Sequence, residues 1–143
     1  MKILLLTLAW ACLLAMTPVS SAQTPDDSVF QGLGGKPGIK KIVATLLPLV
    51  QADPRIKESF TDIDMKQLAL RLEEQFCVLS GGPCTYKGKD MKEIHDGLNI
   101  TNAQFNALAE DLQIAMEQVG IASRVQNKLV AKLAPMQRDI VTK

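Results

Sequence analysis

Histidine is nearly missing from this chain of 143 residues: His95 stands alone, beside three cysteines. A single imidazole excludes metal sites built from several histidines and leaves single-ligand chemistry, of which haem iron is one case. Neither sign of charge is in excess, with 16 basic and 15 acidic residues, so nothing points to nucleic acid or an anionic membrane as partner. Long apolar runs are lacking too. The one candidate, Ile3 to Met16, is shorter than the roughly 20 residues that span a bilayer, and Pro18 ends it. There is no internal repeat, no strand-like alternation, no glycine-rich phosphate loop, no Ser-His-Asp set and no carboxylate pair at a catalytic spacing. Most enzyme classes therefore have no support.

What is present begins with a leader. Met1-Lys2, the apolar run and Thr17-Pro18-Val19-Ser20-Ser21-Ala22 give a charged start, an apolar middle and a small-residue cleavage site. Residues 1–22 read as a removed secretory signal, 23–28 as a mobile polar lead-in and 29–143 as one domain. That predicts an exported protein, in the bacterial periplasm, with no stable membrane association once the signal is gone. A lipoprotein would use Cys12, but Ala9-Trp10-Ala11 before it match a lipidation signal poorly. Removing the leader takes away Cys12, the only Trp and Lys2, which leaves the charges balanced. Cys77 and Cys84 remain, seven positions apart across Ser80-Gly81-Gly82-Pro83. An exported chain favours a disulfide between them, worth about 2 to 3 kcal/mol in the chain-entropy model, over two inert buried thiols. Neither belongs to a Cys-x-x-Cys-His unit, so covalent haem attachment is not indicated.

Helical periodicity dominates the rest. Met65, Leu68, Leu72, Phe76 and Leu79 form one apolar stripe; Phe105, Leu108, Leu112, Met116 and Val119 a second; Val125, Leu129, Leu133, Met136 and Ile140 a third. Four starts carry a capping residue with Glu or Gln three places on: Asp64 with Gln67, Asp90 with Glu93, Thr101 with Gln104, Ser123 with Gln126. Stops fall at Gly81-Gly82-Pro83, Gly97 and Gly120. Upstream, Gly34-Gly35 separates a short helical turn from a helix over about Pro37 to Val50, whose first turn tolerates Pro37 and whose end must absorb Pro48. The expected fold is all-α, with a short helix carrying His95 and two long terminal helices.

The order and spacing of several short motifs are more specific than any one of them. These are Leu33-Gly34-Gly35-Lys36-Pro37-Gly38-Ile39, Ala52-Asp53-Pro54, Phe60, Phe76, Gly81-Gly82-Pro83, Tyr86-Lys87-Gly88, Asp90-Met91-Lys92, His95, Gly97-Leu98, Ile100-Thr101, Phe105 and the ending Leu133 to Val141. Together they resemble the truncated haemoglobins of the first group, the small two-over-two globins, over nearly all of the chain from Val29 onward. The resemblance implies a two-over-two helical sandwich holding non-covalent haem b. His95 would be the proximal ligand of the iron, with Met91 and Ile94 on the proximal wall; its second ring nitrogen is expected to donate to the Met91 carbonyl one turn back. Leu46, Phe60, Phe76, Ile100 and Phe105 would line the haem, and Arg71 would pair with a propionate or lie on a solvated helix face.

One departure from the family pattern changes the expected chemistry. The family places a tyrosine late in the second helix and a glutamine on the facing helix to hydrogen-bond bound oxygen. Here Leu47 and Leu72 stand there, with Leu68 beside them. The distal side is therefore expected to be apolar, Gln75 and Tyr86 being poor substitutes, and oxygen affinity should fall by about one to two decades, mainly through faster release. With His95 alone, a bis-histidine resting state is impossible. The leading expectation is reversible binding of the diatomic gases dioxygen, carbon monoxide and nitric oxide, with a reductant that the sequence does not name. Two alternatives stand beside it: a haem enzyme for nitric oxide dioxygenation or peroxide reduction, and a cofactor-free globin-shaped interaction module. An apolar distal side argues against the first, since it offers no proton donor.

Overall fold

The computed structural model describes residues 26–143. The predicted leader, Cys12 and the first half of the lead-in lie outside that range. Seven helices follow in order: α1 (Ser28–Gly32), α2 (Gly35–Ala52), α3 (Met65–Leu79), α4 (Met91–His95), α5 (Asn102–Gln118), α6 (Ser123–Leu133) and α7 (Gln137–Ile140), with 3-10 turns at Lys57–Phe60 and Ala134–Met136. Among the described residues the only β pairing is an isolated parallel bridge between Ile100 and Val141. The fold is all-helical, as the periodicity required.

Local chemistry sets the boundaries. The Asp64 carboxylate accepts from the backbone N–H groups of Lys66 and Gln67, and Asp90 accepts from Glu93 N–H at 2.7 Å. Thr101 and Gln104 form a complete capping box. The fourth expected cap is different. Ala122, in extended conformation, precedes α6, Ser123 is already its first residue, and the Gln126 amide donates back to the Ile121 carbonyl at 2.8 Å. α2 starts two residues before the expected Pro37 and continues to Ala52, four residues past Pro48. The last stripe does not run as one helix either. Pro135 has no N–H to offer, and the chain tightens into a 3-10 turn before α7, so Met136 and Ile140 leave the α6 axis. At the other end α1 begins at Ser28, whose N–H donates to the Asp26 carboxylate.

The core lies where α2 meets α3 and α5, and where α6 closes on α3 and α5. Leu33, Ile39, Ile42, Val43, Leu46, Met116 and Leu129 are fully buried there. The paired glycines bring α1 against α2. Gly34 has φ +84°, a left-handed conformation that suits glycine, and a Cβ on Gly38 would collide with the Leu33 carbonyl oxygen. α4 is attached differently. It has no buried residue and packs against α7, while the tail beyond α7 is tied to the following loop by Thr142 N–H on the Ile100 carbonyl at 3.0 Å.

Candidate functional site

Between α2 and α3 on one side and α4, α5 and α7 on the other lies a cavity of about 570 Å³, large enough for a cofactor-sized ligand. All twelve residues that the sequence assigned to a cofactor line it: Leu46, Leu47, Phe60, Leu68, Arg71, Leu72, Phe76, Met91, Ile94, His95, Ile100 and Phe105. Val50, Ile56, Leu98, Leu108, Leu112, Leu133, Met136 and Ile140 add further apolar side chains to the wall. Several of these were visible as members of the apolar stripes, but a stripe does not say whether it faces a neighbouring helix or a cavity. At the rim, Ile63, Ile94 and Leu98 are 42%, 44% and 51% exposed, an apolar surface characteristic of a binding site.

His95 supplies the one imidazole. Its Nδ1 lies 2.7 Å from the Met91 carbonyl oxygen. A carbonyl can only accept, so Nδ1 carries the proton and, in the neutral ring, the lone pair is left on Nε2. Asp90 fixes the first turn of α4 and Met91 holds the ring one turn later, so a five-residue helix suffices to orient a ligand nitrogen.

The polar groups around the cavity are mostly committed to each other. Arg71 pairs with Glu74 at 2.6 Å, and Glu74 also accepts the Lys87 backbone N–H at 3.0 Å. That N–H, helped by the Arg71 guanidinium, holds the Glu74 carboxyl below its ordinary range. Arg71 thus reaches the cavity as part of an ion pair on its own helix. Tyr86, expected to stand too far away, also lines the wall; its hydroxyl donates to the Lys89 carbonyl at 3.0 Å, and burial pushes its pKa above the ordinary phenol value. The Gln75 amide extends across the cavity toward two thioethers, 3.3 Å from Met91 Sδ and 3.6 Å from Met136 Sδ. Sulfur is a weak acceptor, so that amide is only loosely held. No residue pattern announced this contact, because it joins positions 61 apart.

Among the described residues no group of three or more His, Cys, Asp or Glu could hold a metal ion, and no helix is long and apolar enough to cross a membrane. Cys77 and Cys84 are bonded to each other, with a Cα separation of 5.9 Å.

Comparison with known proteins agrees with this geometry. The family described as bacterial-like globin matches residues 28–142. A group 1 truncated haemoglobin of Tetrahymena thermophila is 31% identical over 81% of this chain and 96% of its own. One from Mycolicibacterium paratuberculosis is 30% identical over 80% of this chain and 85% of its own. The crystal structure of the truncated haemoglobin of Tetrahymena pyriformis, in its Fe(III) form, superposes with a TM-score of 0.78 at 31% identity, covering 80% of this chain and 98% of that one.

Proposed function

The chain belongs to the bacterial-like globins and, among them, to the group 1 truncated haemoglobins, and from that premise we propose that it binds haem b non-covalently through His95 and reversibly takes up diatomic gases. Membership in a globin family implies haem as the cofactor. The residues present fit it: one imidazole with Nε2 free, set in a broad and mostly apolar wall whose polar side chains Arg71, Gln75 and Tyr86 are engaged with other groups of the protein. The carrying observation is the His95 Nδ1 to Met91 carbonyl bond inside that cavity. When bound, haem iron would supply the open coordination position at which a diatomic gas is held.

The chain's own residues decide what happens around that position. Leu46, Leu47, Leu68 and Leu72 exclude water and offer no hydrogen-bond donor. Dioxygen, which gains from a donor to its outer atom, is then held more weakly by about 1 to 3 kcal/mol, while carbon monoxide gains little from such a donor. Those four leucines offer no group to deliver a proton. That supports reversible binding over nitric oxide dioxygenation or peroxide reduction. Non-covalent attachment is supported by Cys77 and Cys84 being bonded to one another, which leaves no free thiol among the described residues. Export to the periplasm rests on the leader-like first 22 residues and is supported by the disulfide, which suits an oxidising compartment.

The test is the optical spectrum of residues 23–143 with haem added, in ferric, ferrous and carbon monoxide forms, beside His95→Ala. A Soret band that shifts with carbon monoxide and is lost in the variant is expected. A chain that shows no carbon-monoxide-responsive band would be a globin outline without globin chemistry.

A further inference from the structure

The Cys77–Cys84 bond sits between the core and the element that carries His95. Cys77 is fully buried near the end of α3, one residue after Phe76 of the cavity wall, whereas Cys84 is half-buried in the loop that lies between α3 and α4. Gly82 packs so closely over this bond that a Cβ there would stand 2.7 Å from Cys77 Sγ and 2.5 Å from the Phe30 ring. Beyond Cys84 the loop reaches the cavity through Tyr86, Lys87, Gly88 and Lys89, then enters α4 at Asp90. Its other ties are few: the Lys87 N–H on Glu74, and a Tyr86 hydroxyl bond that stays within the loop. α4 buries no residue of its own; its ties to α3 are the weak Gln75 amide contact with Met91 Sδ and this loop, which the disulfide fastens to the end of α3.

We propose that this bond is a redox-sensitive lock on cofactor retention: closed, it holds the loop and α4 against the cavity; opened by a dithiol, it frees them and lets haem leave. This rests on the haem reading given above. In the opening step a thiolate of the dithiol attacks Cys84 Sγ, the more accessible sulfur. The protein S–S bond breaks, Cys77 departs as a thiolate that takes up a proton, and the second thiol of the reductant displaces Cys84. The products are two protein thiols and one cyclic disulfide of the reductant, two electrons having passed to the protein. Because the departing Cys77 sulfur is buried among apolar neighbours, where a thiolate is disfavoured, the lock opens slowly.

The experiment compares the oxidised protein with the same protein after dithiothreitol, and with Cys84→Ser, which spares the buried Cys77. Hydrogen exchange is read first on the haem-free chain. Amides 85–96 should exchange about tenfold faster when the bond is open, with those of α2 and α5 unchanged. Transfer of haem to an apo-myoglobin acceptor is then timed, and should also quicken about tenfold in both open forms. Equal exchange over 85–96 in the two states overturns the lock, as does faster exchange spread evenly over α2 and α5, or haem transfer at one rate throughout. Failure of the oxidised protein to take up haem at all would overturn the haem reading and the retention role with it, while leaving the exchange result to stand for the loop.

Discussion

α2 and α4 meet the same cavity and are held in opposite ways. α2 is an 18-residue helix with five fully or nearly buried apolar side chains, Ile39, Ile42, Val43, Leu46 and Val50, clamped between α3 and α5. α4 has five residues in all, none of them buried, and is positioned by an Asp90 cap, by α7 and by a cross-linked loop. Burial of apolar surface scales with the area removed from water, so α2 carries its own stability and α4 carries almost none. The scaffold and the ligand-bearing element are therefore separable. A helix that must grip a bound group need not be held by the core, provided that the bound group completes its packing.

That separation can be broken from either side. The largest effect belongs to His95→Ala, which removes the only imidazole: haem affinity should fall by more than about a hundredfold, seen as loss of the carbon-monoxide-responsive Soret band, whereas the thermal midpoint of the haem-free chain should stay within the experimental spread. Ile42→Ala attacks the other region. Ile42 is fully buried and does not touch the cavity, so its truncation should cost about 2 to 4 kcal/mol in urea unfolding while the carbonyl spectrum keeps its shape. If both substitutions damaged fold and spectrum together, the two regions would be one cooperative unit and the contrast would be lost.

The scaffold was far more legible in the sequence than the suspended part. Stripes such as Phe105, Leu108, Leu112 and Met116 repeat over about three turns, and three of the four expected caps act as read. Ser123 failed because Ala122, in extended conformation, holds the capping position and Ser123 is already the first residue of α6, leaving Gln126 to bond a carbonyl instead. The third stripe broke at Pro135, where spacing alone favours continuity and the missing N–H does not. Within the site, His95 and the leucine wall were readable because uniqueness and chain order mark them. The Gln75 contact with Met91 and Met136, the Glu74 bond to the Lys87 backbone and the reach of Tyr86 were not. Each depends on tertiary approach between elements whose local sequence is the same with or without it.

A smaller effect sharpens the contrast inside the cavity. Leu72→Gln puts an amide donor on α3, the well-anchored side, where packing limits its freedom. Dioxygen release, followed by stopped flow, should slow by about tenfold to a hundredfold, with carbon monoxide release changed by less than about threefold. The Gln75 amide, loosely held by sulfur, should make no comparable contribution, so Gln75→Leu should leave dioxygen release within about threefold of the parent. Faster release in Gln75→Leu, or no change in Leu72→Gln, would show that the distal wall is not an apolar surface.

The smallest effect tests the scaffold where it is least satisfied. Asp111 on α5 is only 5% exposed, and its Oδ2 is buried with no hydrogen-bond partner among the described residues. Asp53, Arg55 and Glu110 surround it, with Arg55 already shared between Asp53 at 2.7 Å and Glu110 at 2.5 Å. Burial pushes the Asp111 carboxyl above its ordinary range, Asp53 and Glu110 add to the rise, and Arg55 opposes it. A carboxyl whose folded value lies above its unfolded one binds its proton more tightly in the native state. Its ionisation therefore costs stability above the folded value, and that cost disappears as pH falls toward the ordinary carboxylate range. Asp53 has the opposite sign, since the Arg55 hydrogen bonds lower it, and its contribution is lost as pH falls. Asp111→Asn should then raise stability at pH 7 by about 0.5 to 1 kcal/mol, a modest figure because Arg55 offsets part of the cost of the ionised form. The gain should shrink as urea titrations are repeated toward pH 4, and a variant whose advantage grew in acid would mean that Asp111 is held as a stabilising carboxylate instead.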